Sequence, residues 1–165
     1  MSDMPDPVGA FNFFVTLDPG DAYLPLTQAL LVPLVATGAF QEVKGLGADL
    51  EVLAYAEGGV NDYVHQLPVR HSWNRLSLRR GVARGPALWD WYQAGLSGSL
   101  GARRDGAVFL LTADGLPAVA WTFTGGIAVK WSGPELSAQN AAVAIEALEI
   151  AHHGLTQVPL AILAV

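Results

Sequence analysis

Alternation of apolar and polar side chains with a period of two is clearest in the stretch Ala118-Val-Ala-Trp-Thr-Phe-Thr-Gly-Gly-Ile-Ala-Val-Lys-Trp131. The large apolar side chains of one parity are Val119, Trp121, Phe123, Ile127, Val129 and Trp131. This pattern is typical of a strand that buries one face, because successive side chains of a pleated strand point to opposite faces. The pair Gly125-Gly126 in the middle predicts a bulge or a bend.

The same alternation recurs on the N-terminal side of this stretch. Its further occurrences are residues 11–18, 48–55, 63–69 and 75–79. Pro68 interrupts the third of these segments, and residues 107–112 form a continuous apolar run. Asp114-Gly115 follows that run and favours a tight turn. Together these segments predict a mainly β domain with antiparallel strands.

One short helix is predicted between two glycines. Gly85 and Pro86 favour a helix start, and Gly95 favours its end after residues 87–94. The helix carries aromatic side chains on two faces, which indicates that it closes one end of a sheet or barrel. We expect its indole rings to lie in the core rather than against a ligand.

The segment 138–153 is compatible with two structures. Its content of Ala, Glu and Leu favours a helix by propensity. Glu146, Leu148 and Ile150 also alternate with smaller or charged residues, as they would in a strand. Pattern and propensity alone slightly favour a helix for this segment.

Composition excludes several classes of protein. The chain has 165 residues, of which 52% are hydrophobic and 15% charged, so it has enough apolar surface to fold and is not a disordered chain. It contains no Cys, which excludes disulfides and thiolate metal sites. A formal net charge of −6 disfavours a general nucleic-acid binder.

The charges are unevenly distributed along the chain. All seven arginines lie within residues 70–104, where Asp90 is the only acid, and the remainder holds two lysines and fourteen acids. A basic segment in an acidic chain could bind phosphate or nucleic acid. A face that contacts the acidic part of another copy is favoured, because no aromatic side chains are interleaved with the arginines as in a stacking platform.

No membrane segment is predicted. The N-terminus is acidic and lacks the basic start of a secretory signal. The most apolar stretch, residues 22–40, is interrupted by Pro25 and Pro33, whereas a spanning helix needs about 20 largely unbroken apolar residues. We therefore expect no membrane insertion by this chain.

Candidate chemical motifs are few. If residues 138–153 were helical, Glu149 and His152 would form a Glu-x-x-His pair of the kind used in di-metal bundles. The only similar pair in the sequence is Asp62-x-x-His65. No phosphate-binding loop is present, and Gly95-Leu-Ser-Gly-Ser99 departs from the Gly-x-Ser-x-Gly pattern at its last position. We therefore expect no catalytic, cofactor or metal site.

A series of short motifs follows in order along the chain. The motifs are Phe40-Gln-Glu-Val-Lys-Gly-Leu46, Tyr55-Ala-Glu-Gly-Gly-Val-Asn61, Leu67-Pro68, Leu76-Ser-Leu-Arg-Arg-Gly81, Leu88-Trp-Asp-Trp91, Arg103-Arg104, Gly115-Leu-Pro117, Lys130-Trp-Ser-Gly-Pro-Glu-Leu136, Val143-Ala-Ile-Glu146 and His152-His-Gly-Leu155. The series resembles the inner tail-tube protein family of contractile phage tails and extracellular contractile injection systems. The resemblance covers residues 6–18 and 39–155. It leaves residues 20–38 as an insertion and residues 156–165 as an apolar C-terminal tail.

The resemblance implies a fold and an assembly. Two packed antiparallel sheets with one short helix would form a domain over residues 1–155, and residues 138–153 would contain a strand. Six copies would join strand edges into a ring around a lumen, and rings would stack into a tube. The implied partners are further copies, sheath, baseplate and cap proteins, and luminal effector proteins or DNA. The chain would lie in the bacterial cytoplasm during assembly and later in a phage tail or released injection particle.

Ring formation also agrees with the sequence pattern. A sheet with exposed edges is prone to aggregation unless the edges are paired, and a closed ring pairs them. We expect three arginines to face acids across a subunit or ring contact. The arginines are Arg70, Arg79 and Arg80, and the candidate acids are Glu42, Glu57 and Asp49.

Two other functions remain open at this point. One is a monomeric β-barrel that binds a small apolar ligand. The other is a metal-dependent enzyme that uses Glu149 and His152.

Overall fold

The computed structural model describes residue 9 and residues 12–17, 40–82, 85–97, 103–139 and 141–159. The strands are β1 (Phe13–Leu17), β2 (Phe40–Lys44), β3 (Ala48–Tyr55), β4 (His65–Trp73), β5 (Leu76–Gly81), β6 (Arg104–Leu111), β7 (Pro117–Ser132), β8 (Ile145–Ala151) and β9 (Gly154–Pro159). The helix is α1 (Ala87–Leu96). The mainly β fold with one short helix is confirmed.

The long strand β7 belongs to two sheets. Its first half pairs with β6 and β9, and sheet A has the order β1-β6-β7-β9. Its second half pairs with β8, and sheet B has the order β7-β8-β5-β2. All these pairings are antiparallel. Gly125, with φ of 62°, lies between the two halves, where the sequence predicts a bend.

The core lies between the two sheets. Its buried side chains come from sheet A (Val15, Leu17, Val108, Phe123), from sheet B (Phe40, Leu76, Leu78, Leu148, Ile150) and from α1 (Leu88, Trp91). Buried and more exposed residues alternate most clearly along β5 and β8, as expected for the pleat of a strand. The expectation for the indoles is confirmed for Trp91, which is 1% exposed, whereas Trp89 lies at the surface against Trp131, with ring centroids 4.8 Å apart.

Residues 145–151 form strand β8, so the helical alternative for this segment is wrong and the strand implied by the family resemblance is confirmed. Glu146, Leu148 and Ile150 point into the core, and β8 is paired on both sides, by β5 and β7. Pairing on both sides and burial of every second side chain outweigh helix propensity.

A β-hairpin made of β3 and β4 projects from sheet B. Every residue of β3 is exposed. The hairpin lies between β2 and β5 in the chain, and at its base the segments 45–47 and 74–75 are in close contact. There Gly45 has φ of 89°, and the Asn74 N–H donates to the Gly47 carbonyl at 3.1 Å. Pro68, which interrupts the predicted strand, lies inside β4 next to a register shift.

The insertion and the tail predicted from the sequence have different outcomes. The predicted tail begins inside β9, because residues 154–159 pair with β7. The predicted insertion, residues 20–38, and the last six residues lie outside the described part of the chain. No helix among the described residues is long and apolar enough to cross a membrane.

Candidate functional site

Sheet B has two edges at which a further strand could pair. Among the described strands, β2 is paired on one side only, by β5, and residues 127–132 of β7 are paired on one side only, by β8. A register shift marks each of these edge strands, between Phe40 and Glu42 and between Ala128 and Lys130. Unpaired backbone donors and acceptors of an edge strand are a template for pairing with another chain.

The outer face of sheet B carries a charge cluster around Glu42. Lys44 Nζ lies 2.6 Å from one carboxylate oxygen and Arg79 Nη1 lies 3.1 Å from the other. Hydrogen bonds from Lys44 and Arg79 hold the pKa of Glu42 below its ordinary value of 4.5. The sequence predicts that Glu42 and Arg79 face charges across a subunit or ring contact, whereas here they pair with each other within one chain, across β2 and β5. Contact of either residue with another copy stays a prediction.

A second cluster on the same face surrounds Glu149. Its carboxylate lies 3.3 Å from Lys130 Nζ and 3.7 Å from Arg75 Nη1. The carboxylate that the sequence offers as a metal ligand therefore bridges two cations. His152 is elsewhere, at the turn after β8, with its ring nitrogens near the carbonyl oxygens of Asn74 and Gly154. No group of three potential metal ligands occurs in the described part of the chain.

Arg80 is a correction to the predicted contact residues. Its side chain points into the core, where Nε donates to Glu146 Oε1 at 2.7 Å and the guanidinium lies 5.9 Å from the centroid of the Phe40 ring. Trp131 Nε1 donates to the other oxygen of Glu146 at 3.2 Å. Because Arg80 is 6% exposed and Glu146 7%, Arg80 cannot present its charge to a neighbouring chain.

The other two predicted contact residues, Glu57 and Arg70, belong to the hairpin and its connecting turn. Glu57 Oε2 lies 2.8 Å from His65 Nε2 of the same chain. Arg70 is opposite Glu51 in the β3–β4 register. Their contact with another copy stays a prediction.

The hairpin exposes apolar side chains on both faces. They are Leu50, Val52, Leu53, Tyr55, Tyr63, Val64, Leu67 and Val69, each between 46% and 60% exposed. Contiguous apolar surface of this kind marks a protein interaction site. The hairpin is therefore the second candidate assembly surface, beside the edges of sheet B.

The open ends of the sandwich provide little space for a ligand. An apolar cleft of about 170 Å³ lies between the sheets, lined by Phe13, Val43, Leu46, Val108, Leu110 and Trp121. Small-molecule sites usually have about 300 Å³ or more. A larger cleft of about 340 Å³ lies beside the outer face of sheet B, where the charged residues Arg79 and Glu135 line it. Neither cleft gives much support to the alternative of a barrel that binds an apolar ligand.

Sequence reasoning misses three parts of these surfaces. It does not identify residues 40–44 as a strand, although they begin the motif series. It also misses the outer-face role of Glu149 and Lys130. The available signal is spacing, since charged residues two or four apart on one strand, such as Arg75 and Arg79, lie on the same face.

One comparison with known proteins identifies a family. The sequence matches the model of the T4-like virus tail tube protein gp19 over residues 9–156. A search of curated proteins finds no match. A chain in the six-fold symmetrised baseplate of the anti-feeding prophage is similar, with 25% identity and a TM-score of 0.78 over 96% of this chain and 100% of that chain.

Two more distant structures share the fold. A chain in the extended PVC sheath-tube complex of an extracellular contractile injection system has 15% identity and a TM-score of 0.72, with 93% of each chain covered. Hcp1 from Flavobacterium johnsoniae has 15% identity and a TM-score of 0.54, with 88% of this chain and 93% of that chain covered.

Proposed function

The chain belongs to the T4-like virus tail tube protein gp19 family, and from this we propose that six copies form a ring and that rings stack into the inner tube of a phage tail or contractile injection system. The sixfold number is supported by the likeness to a chain of a six-fold symmetrised baseplate. The role is mechanical rather than catalytic. A sheath around the tube contracts and drives the tube through a target envelope.

The observation that carries this proposal is the pair of open edges on sheet B. β2 lies at one edge and the second half of β7 at the other, on opposite sides of the same sheet. If β2 of one copy pairs with β7 of the next, a closed ring leaves neither edge unpaired. The joined strands resist sliding, because many backbone hydrogen bonds must break together.

The proposed partners follow from the same assembly. Similar chains occur in structures of a sheath-tube complex and of a cap that terminates a tube, which supports sheath, cap and baseplate proteins as partners. The lumen would carry effector proteins or DNA. Subunits would assemble in the bacterial cytoplasm and remain in the released particle.

Negative-stain electron microscopy and size-exclusion chromatography of the purified chain test the ring. We expect annular particles or rods and a species of roughly 104 kDa, six times the 17.4 kDa of one copy. The variant Gln41→Pro should abolish both, because proline has no N–H and its ring blocks a pairing strand. Gln41 lies at the register shift of β2, a position where a folded chain tolerates proline.

Gln41→Ala is the matched control for this experiment. It removes the side chain but keeps the backbone donor, so it should assemble like the wild type. The far-ultraviolet circular dichroism of both variants should match that of the wild type. Normal rods from Gln41→Pro, or a wild type that stays a compact monomer under all conditions, would contradict edge pairing.

The hairpin is proposed as a contact with a neighbouring copy, with Glu57 and Arg70 in that contact. Its apolar side chains have no cover from the described part of the same chain. The double variant Leu53→Ser, Leu67→Ser removes two large apolar side chains that are opposite each other in the register. Since both are about half exposed, we expect the variant monomer to fold with unchanged stability and to form fewer rings or none.

Thermal unfolding and negative-stain imaging of the same samples separate the two effects. The control is Leu116→Ser, which removes an equally exposed leucine, 51% exposed, from the β6–β7 turn. Rings at the wild-type yield from the hairpin variant would show that the hairpin does not hold neighbouring copies together.

A further inference from the structure

The outer face of sheet B is positively charged although the chain as a whole is negative. Its charged side chains are Glu42, Lys44, Arg75, Arg79, Lys130 and Glu149. Four cations and two carboxylates on its strands give a net charge of +2, or +1 when Glu135 is included, which lines a cleft with Arg79 and Ser132 of this face, against −6 for the chain. In each cluster the central carboxylate is about one-third exposed and its two cations about half to two-thirds, so the cations form the accessible surface.

The outer face of sheet A has the opposite character. Two rows of side chains cross its four strands, namely Phe14, Phe109, Ala120 and Val158, and Thr16, Ala107, Thr122 and Thr156. None of these eight residues is charged. Along these two rows the outer face of sheet A is uncharged, whereas the outer face of sheet B carries two charge clusters, so the face of sheet B is the better suited to a charged partner.

Ring closure through sheet B determines which face lies inside. Packed sheets are about 10 Å apart, so in a ring the inner sheet layer has a circumference about 60 Å shorter than the outer layer. For six copies this is about 10 Å per copy, which is the width of about two strands. Sheet A has four strands, as many as sheet B. It therefore cannot fit inside a closed barrel made of sheet B and must lie outside it.

We infer that the outer face of sheet B lines the lumen of the tube and binds acidic protein cargo through the cations around Glu42 and Glu149. This inference rests on the proposed ring, and it adds the orientation of the sheets and the chemistry of the cargo. Carboxylates of an acidic protein can replace Glu42 or Glu149 in the ion pairs with these cations.

Acidic protein is favoured over DNA by two observations on this face. Duplex DNA carries a charge about every 1.7 Å along its axis. The cations here form two separate clusters, each around one carboxylate, and therefore suit an anion whose charges are fewer and more widely spaced. No aromatic side chain lies among the six charged residues to stack on a base.

Cysteine labelling tests the orientation, because the chain contains no native Cys. Ser132 lies on the outer face of sheet B and Thr156 on that of sheet A, and both are exposed. In assembled tubes, Ser132→Cys should be protected from a bulky polyethylene-glycol maleimide, and Thr156→Cys should react. Both should react in the unassembled Gln41→Pro background. Equal labelling of the two in tubes, or protection of Thr156→Cys alone, would overturn the orientation.

Binding of fluorescent poly-L-glutamate at low salt tests the cargo chemistry. The double variant Lys44→Gln, Lys130→Gln should bind the probe about tenfold more weakly, and Glu149→Gln about threefold more tightly. Asp114→Asn is the matched control, since it removes the same charge from the β6–β7 turn and should leave binding unchanged. Equal effects of Glu149→Gln and Asp114→Asn, or no binding, would overturn a specific cationic face.

A duplex DNA probe with the same total charge distinguishes the two classes of cargo. We expect it to bind more weakly than poly-L-glutamate, and tighter binding of DNA would overturn the assignment of acidic protein. Imaging of the same samples separates this inference from the proposed function. Tubes without probe binding reject the inference alone, whereas the absence of rings rejects the proposed function.

Discussion

Replacing Arg80 with methionine should lower the free energy of unfolding of the isolated chain by about 3–5 kcal/mol. Glu146 would keep the Trp131 hydrogen bond but lose its cation, which leaves a carboxylate in a site that is 7% exposed. Removing one partner of a buried ion pair is strongly destabilising because the remaining charge is uncompensated. Denaturant unfolding in the Gln41→Pro background measures the effect without a contribution from assembly.

The double variant Arg80→Met, Glu146→Leu is the control for this prediction. Replacing both charges with apolar side chains should recover most of the stability, apart from about 1 kcal/mol for the orphaned Trp131 N–H. The melting temperature should follow, at about 2–4 °C per kcal/mol for a chain of this size. If Arg80→Met leaves the monomer as stable as the wild type and impairs only assembly, Arg80 is a contact residue after all.

Gly45→Ala should destabilise the chain by more than about 3 kcal/mol. Gly45 has φ of 89°, and a Cβ at this position would lie 1.9 Å from the carbonyl oxygen of Arg75. The obstacle is backbone, so it cannot move aside as a side chain could. We expect the β2–β5 pairing to open at the base of the hairpin, and ring formation to fail together with stability.

Gly59→Ala is the matched control, because Gly59 has φ of 93° and a Cβ added there would meet no atom within 4 Å. It should show only the conformational strain, about 1–2 kcal/mol. Denaturant unfolding gives the free energy of unfolding of both variants. The difference between the two values measures the effect of the close approach between Gly45 and the Arg75 carbonyl. Equal effects would show that the segments around Gly45 and Arg75 can move apart at a small cost in free energy, and that their close contact is not important for stability.

Most strands can be predicted from the sequence because the pleat imposes a local pattern. Residues 48–55 alternate and form β3 with the predicted bounds. The turn at Asp114-Gly115 is also present, with φ of 80° at Gly115. Residues 40–44 escape prediction because the strand is short and lies at an edge, so few of its side chains have to be buried.

The charge pairs can be predicted only in part. Opposite charges at Glu42 and Arg79 indicate a pair, but the sequence does not show whether two residues 37 positions apart belong to one chain or to two. The structure settles this, because the register of β2 with β5 places them opposite each other. The prediction for Arg80 is wrong because adjacent residues of a strand point to opposite faces, so that Arg80 points into the core when Arg79 is exposed. The alternation along the strand does not by itself show which of the two faces is buried.

Local sequence is sufficient for the β class, the position of the helix and the main turns, since each depends on residues close together along the chain. The family resemblance depends on the order of short motifs along the whole chain, which the sequence also provides. The strand at residues 145–151 follows from the family resemblance, although local pattern and propensity favour a helix there. Two other features emerge only from the folded chain: Arg80 is buried with Glu146, and sheet B has a cationic outer face. They depend on which distant strands pair and on which side chains become excluded from water. Both are properties of long-range packing, which a local pattern does not specify.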